Sequence, residues 1–427
     1  MPRVPKRLCF VAFSLALLFF PSCSNPRKTA AGDTVILRLW TIWSSDTESN
    51  KAPFLKTLAE FKKKYPNVKI ELDQTEASAY NTKIRTAIAA NEAPDVFYYN
   101  SGGLLKSFVD AGKVLPLDGY LPAGVKERIM DGALTNMTFD GKIYGLPYTR
   151  AFSVLYCNSD LFEKYGVKIP STWNELMAAV RAFRKAGITP MAVGGKDRWP
   201  TNMYTDVITL RCAGYEEYRR ALYKEEGGSF VTPGMRFGAQ KFAELVRAGA
   251  FQKDAVSVTR DESELPFYAG KIPMYVSGNW TAGNCQAPDS PVRGKTVAVR
   301  FPTIEGGKGD PAEFMGGAAE EFCVAANTKN TEAAVLLCSF LAENHSRNAY
   351  LAGAGIPTWK MTVDESRIDP LIKSIMKLTD GSKRFLLWGN NALEGDDSEL
   401  LLDTTQEFLA GSLSAGDYSA RLQSIFR

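Results

Sequence analysis

The chain has 427 residues, 45% hydrophobic and 23% charged, an ordinary globular composition that excludes disorder along most of its length. Lys and Arg total 51 against 47 Asp and Glu, and the net charge of +4 is too small to point to a nucleic-acid partner. The single histidine, His345, excludes a His-built metal cage, so neither a metal nor a cofactor is expected. At roughly 100–200 residues per domain, the length allows two to four domains.

The N-terminus reads as a leader. Arg3, Lys6 and Arg7 precede an apolar run from Leu8 to Phe20 in which Ser14 is the only polar side chain. That run is shorter than the roughly 20 residues a spanning helix needs and has the pattern of a secretory signal peptide. It ends in Phe20-Pro21-Ser22-Cys23, which resembles a bacterial lipobox with Phe and Pro in place of the usual Leu and Ala. The expectation is a signal peptide over 1–22, then Cys23 as the lipidated first mature residue, with a polar tether through 34. No other stretch approaches 18 apolar residues. Five cysteines remain beyond Cys23: Cys157, Cys212, Cys285, Cys323 and Cys338. They are odd in number and lack CxxC spacing, which argues against a disulfide framework and leaves a single pair open.

From residue 35 onward, strand and helix patterns alternate. Val35–Trp40 reads as a strand, and Lys51–Tyr65 as an amphipathic helix stopped by Pro66. A strand over Val68–Leu72, a helix over Tyr80–Ala90, a buried strand over Asp95–Tyr99 and a helix over Leu104–Ala111 follow. A second unit reads similarly. Leu155–Cys157 is strand-like, and Ser171-Thr172-Trp173-Asn174-Glu175 opens a helix to Ala186 with a capping box. Pro190–Gly194 reads as the next strand, with helices over Gly238–Ala248 and Glu262–Ala269 and a strand over Lys271–Val276. Thr331–Glu343, Leu400–Ala410 and Asp417–Phe426 read as helices. This alternation predicts an α/β protein.

Five stretches carry a family resemblance: Phe61–Ile70, Tyr80–Val96, Asp140–Tyr148, Asn158–Gly166 and Phe267–Trp280. In this order they resemble bacterial extracellular solute-binding protein family 1, the maltose-binding-protein-like branch that serves ABC importers. The resemblance implies two α/β lobes joined at a hinge, a periplasmic-binding-protein-like fold of type II, with the ligand in the cleft between them. Lobe one is expected at 35–148 plus 299–343 and lobe two at 152–295 plus 348–427. The crossings then fall near Pro147–Ala151, Val297–Phe301 and Asn344–Arg347. The implied protein is a monomer held at the outer face of the cytoplasmic membrane by its N-terminal lipid. It hands a carbohydrate to permease subunits driven by cytosolic ATPases and performs no chemical step.

A sugar presents hydroxyls at its edge and C–H groups on its faces, so its site pairs flat aromatic platforms with a few fixed polar groups. Trp280 stands where the family's stacking tryptophan lies. Trp199, in Lys196-Asp197-Arg198-Trp199-Pro200, resembles a loop of oligosaccharide-binding members. Trp43 follows the first strand, and Trp388 precedes Gly389-Asn390-Asn391. Polar candidates are Asn100 at a strand end, Arg150 in the hinge segment, Glu48 in the first loop, and Gly317 and Glu320 in a Gly-Gly turn. Arg150 reads equally as a hinge ion pair, and Glu48 as a solvated carboxylate at a helix start. Three other readings stay open: the same fold binding a polyamine or phosphodiester; a secreted carbohydrate-active enzyme, which needs two carboxylates set across a cleft; and a non-transport role such as an adhesin or a sensor's ligand-presenting subunit.

Overall fold

The computed structural model describes residues 34–427. The leader and Cys23 lie outside the described residues. Val35–Arg427 forms one compact unit. No helix among the described residues is long and apolar enough to cross a membrane.

The order of strands in space explains the lobes. Val35–Thr41 sits between Val68–Gln74 and Val96–Asn100, parallel to both. These strands build lobe one, and Leu37, Leu39, Phe97 and Phe54 are buried in its core. Two long strands, antiparallel to each other, then leave the lobe. Gly145–Asn158 pairs with Glu313–Val324 along its first half and with Met274–Gly278 and Thr296–Val299 along its second. Glu313–Val324 pairs with Val96–Asn100 at one end and with Arg384–Leu386 at the other. The two strands cross together, so a single nine-stranded sheet threads both lobes.

The return crossing differs from the expected one. Thr296–Val299 stays in lobe two, paired with Leu155–Asn158, and Phe301 and Ile304 belong to that lobe's core. The chain passes back within Glu313–Val324, where the register shifts against Thr149 and Ala151. Gly316 and Gly317 sit at that shift with φ of +130° and +137°. A Cβ at Gly316 would lie 2.1 Å from the Ala151 carbonyl oxygen, so only glycine allows the two strands to pass so closely. The third expected crossing, Asn344–Arg347, lies inside the continuous helix Thr331–Leu351. That helix packs on lobe one, and the chain leaves it toward Ile356–Pro357, which pairs with the hinge at Arg150 and Thr149.

Lobe two is built around Trp199–Ala213, a helix in which every residue after Trp199 is buried. The Thr172/Glu175 capping box is present, and a second, Thr259/Glu262, opens Arg260–Tyr268. Pro190–Gly194 forms only an isolated bridge at Met191. Cys157, Cys212, Cys285, Cys323 and Cys338 are all free and buried.

Candidate binding cleft

Between the lobes lies a cavity of about 530 Å³, within the usual range of ligand sites. Lobe one contributes the loop after its first strand (Trp43, Glu48), one face of the helix Ala77–Ala89, and Tyr98 and Asn100. Lobe two contributes the turn Asp197–Trp199, Arg260, Trp280, and the segment Trp388–Asn391 with Glu399. The long strands add Tyr148 and Glu320.

Three tryptophans form the aromatic wall. Trp280 packs edge to face against Trp199, centroids 6.3 Å apart, and against Trp388 at 5.9 Å. Each comes from a different element, and each is fixed locally. Trp199 follows Arg198, whose backbone turns at φ +64°, and Pro200 at the helix start suits the geometry there. Trp280 follows the strand Met274–Gly278, and its backbone carbonyl accepts the Ser49 hydroxyl of lobe one at 2.8 Å. The Trp388 indole donates to Ser153 Oγ at 2.8 Å.

Two carboxylates sit at the floor. Asn100, at the end of its strand, is the register partner of Glu320 within Glu313–Val324. Glu320 accepts the hydroxyls of Tyr98 (2.9 Å) and Tyr148 (2.5 Å). Burial pushes its pKa above the ordinary carboxylate range, and the two tyrosines oppose the rise. Glu48 reaches across the cleft to Arg260, Oε1 to Nη2 2.6 Å. Arg260 also pairs with Asp261 and lies 3.9 Å from Glu264. Burial raises the Glu48 pKa to about 7, with Arg260 opposing and Glu264 and Asp261 adding to the rise.

A second bridge closes the mouth. Glu399 of lobe two accepts Arg85 of lobe one at 2.8 Å and Arg198 at 2.8 Å. Arg198 holds Asp403 as well, at 2.6 Å. The lobes therefore touch through the Glu48–Arg260 and Arg85–Glu399 ion pairs, a longer Lys106–Glu394 pair, and hydrogen bonds from Ser49 to Trp280 and from Asn284 to Thr47, so the cleft is closed.

Of the residues singled out from the sequence, Trp43, Glu48, Asn100, Trp199, Trp280, Glu320 and Trp388 line this one cavity. Trp43 does so from beneath. It is 1% exposed and packs on Phe54, Tyr98, Tyr148 and His345, so it supports the floor more than it offers a free face. Arg150 and Gly317 are placed elsewhere. The Arg150 guanidinium lies over the Phe385 ring, 5.5 Å from its centroid, because the register shifts on either side of Thr149 break the alternation that would put it on the face of Tyr148. Gly317 serves the strand crossing and faces Asn136 and Phe385. Sequence reasoning missed Arg85, Arg260 and Glu399. The Thr259–Glu262 capping signal could have located Arg260 at a helix start; nothing local marks the other two.

A model of the family described as bacterial extracellular solute-binding protein matches residues 44–346. The chain belongs to that family. A solved structure from work on xylan utilization by the thermophilic bacterium Caldanaerobius polysaccharolyticus is 40% identical, with a TM-score of 0.89 over 92% of this chain and all of the other. An ABC transporter extracellular-binding protein of Pyrococcus horikoshii is 23% identical over 85% of this chain and 80% of its own. The melibiose/raffinose/stachyose-binding protein of Bacillus subtilis is 27% identical over 74% of this chain and 72% of its own. Members of the family are binding proteins.

Proposed function

We propose that this protein is the capture component of an ABC importer and takes a carbohydrate of more than one ring into the cleft between its lobes. The observation that carries the reading is the aromatic wall of Trp199, Trp280 and Trp388, facing polar groups at Asn100, Glu320 and Asn390 in one cavity. The wall covers the apolar ring faces, and the amides and carboxylates take the hydroxyls. A polyamine would call for unpaired carboxylates, whereas Glu48 and Glu399 are already engaged by arginines. The reading includes no chemical step. Closure acts through differential affinity, the sugar binding the closed form better than the open one, and a permease driven by cytosolic ATPases reads the closed form. The leader pattern of residues 1–22 and the lipobox-like Phe20–Cys23 support the rest of the reading, a monomer held outside the cytoplasmic membrane by a lipid on Cys23.

A thermal-shift screen of the purified protein tests this. The probes are xylo-oligosaccharides first, given the 40% identical relative, then chitin, α-galactosyl and malto-oligosaccharides, with polyamines and phosphodiesters for comparison. A saturable rise of the midpoint with one sugar class is expected through mass action. A rise only with a comparison compound would overturn the sugar reading.

A further inference from the structure

The helix Trp199–Ala213 carries a fully buried aspartate. Asp206 is 0% exposed and lines no part of the cavity. Its carboxylate accepts three neutral donors: the Tyr218 hydroxyl at 2.5 Å, the Asn202 side-chain amide at 2.9 Å, and the Gly389 backbone N–H at 2.9 Å. A buried carboxylate without a cation is costly, and a protein that only needed to fill this space could hold an apolar side chain there.

The second and third bonds lead to the cleft. Gly389 opens the short turn Gly389–Ala392, and no side chain of the preceding residue, Trp388, caps that turn. Asp206 supplies the missing acceptor from another helix. Approach is close: a Cβ on Gly389 would lie 3.1 Å from Asp206 Oδ1 and 2.8 Å from the Leu401 side chain, so a larger residue there would crowd the carboxyl. Asn202, held by Asp206, donates to Asn390 Oδ1 at 3.1 Å, and Asn390 in turn donates to Asn391 Oδ1 at 2.7 Å. Trp388, Asn390 and Asn391 all line the cavity. A single buried carboxylate therefore fixes both the backbone that presents Trp388 and the amide orientation of Asn390.

We propose that Asp206 is a positioning residue of the cleft, acting through Gly389 on Trp388 and through Asn202 on Asn390 to set the geometry that the ligand meets. The inference rests on the binding reading above as far as affinity is concerned, whereas its structural half stands on the Trp388 environment alone. The test is Asp206→Asn, close in shape but one acceptor poorer, in protein carrying 5-fluorotryptophan. The seven tryptophans give separate fluorine resonances, assigned by single Trp→Phe variants. The probe ligand is xylotriose.

The expected result is a displaced Trp388 resonance, with Trp280 following it, unmoved Trp40, Trp173 and Trp359 resonances, and xylotriose bound roughly 10- to 100-fold more weakly, the loss of hydrogen bonds to a charged group. An unmoved Trp388 resonance with unchanged affinity overturns the proposal. If wild type fails to bind xylotriose, the choice of sugar is wrong, and the Trp388 resonance alone decides the positioning role: displaced supports it, unmoved overturns it. If Asp206→Asn does not fold, Asn202→Ala carries the test. It cuts the arm to Asn390 and one of the three donors to Asp206 but leaves the Gly389 N–H bond, so a several-fold weaker affinity with Trp388 in place supports the proposal, and wild-type affinity overturns it.

Discussion

The closed cleft buries an imbalance of charge that ties ligand capture to pH. One guanidinium, Arg260, faces three carboxyls, Glu48, Asp261 and Glu264. The Arg260 and Glu48 side chains are 8% and 11% exposed, so solvent screens them little. Opening the cleft separates Glu48 from Arg260 and returns its carboxyl to water, with an ordinary pKa near 4.5. Closing it raises that pKa to about 7, mainly through burial. The sign follows: the closed form holds a proton that the open form releases, so closure takes up a proton between about pH 4.5 and 7. Closure is unhindered below 4.5, is increasingly opposed as pH rises through that window, and carries the full cost above 7. The difference between the two values corresponds to roughly 3 kcal/mol.

Replacing Glu48 with Gln keeps an acceptor for Arg260 and removes the proton. The quantity to measure by calorimetry is the ratio of the variant's association constant to that of wild type, from pH 5 to 8, with the sugar found in the screen. Asp206, whose pKa burial also lifts to about 7, is present in both proteins and cancels in the ratio. The ratio is expected to rise with pH by one to two orders of magnitude, about 1.4–3 kcal/mol. A ratio flat across this range would refute the argument, because it would mean that Glu48 keeps the same protonation in the open and closed forms.

Trp280→Ala is expected to weaken sugar binding by about 1–3 kcal/mol in the same calorimetric assay, as for loss of a central aromatic anchor, while the unfolding midpoint moves little. Glu321 is fully buried with neither carboxyl oxygen hydrogen-bonded, and burial raises its pKa well above 4.5. Glu321→Met is therefore expected to stabilise by about 1–3 kcal/mol in urea unfolding. It should also remove a loss of stability in wild type as pH rises above about 4.5, since the unfolded chain releases this proton first. Asn279 ties the hinge, accepting from the Phe152 N–H at 3.1 Å and donating to the Arg150 carbonyl at 3.0 Å. Asn279→Ala strands both backbone groups and is expected to cost roughly 2–4 kcal/mol in urea unfolding. Glu399→Gln is expected to cost under about 1 kcal/mol, since its partners are 30–41% exposed. It should nevertheless enlarge the radius of gyration of the sugar-free protein in solution scattering.

Lobe one was legible because its signals are local. The helix read at Lys51–Tyr65 ends at Lys64, as its apolar spacing and Pro66 dictate, and the strands at 35, 68 and 96 alternate or stay apolar as half-buried and buried strands do. The helix Trp199–Ala213 was not legible for the opposite reason. Buried on all sides, it has no solvent-facing side, and Asn202, Asp206 and Arg211 are as buried as its apolar residues, so its polarity marks no exposed face to read. Its remaining signals were Pro200 at the start and Gly214 at the end. The hinge strand Gly145–Asn158 showed only its Leu155–Cys157 stretch, because Thr149 and Arg150 interrupt the apolar run at the point where the strand changes lobes.

The same distinction governs the cleft. Position at a strand end for Asn100, and motifs that resemble the family's for Trp199, Trp280, Trp388 and Glu320, were enough to pick out residues that line one cavity. They could not separate Trp43, packed into the floor, from a free platform, because burial depends on what arrives from elsewhere in the chain. Arg85 and Glu399 make the point most sharply. Each sits on a helix face that reads as solvated, and they meet across 314 positions of sequence. Only the closed arrangement of the lobes gives that pair a role. Of the residues that tie the lobes together, Arg85, Arg260 and Glu399 were hidden for this reason, whereas Glu48, in the loop after the first strand, was not.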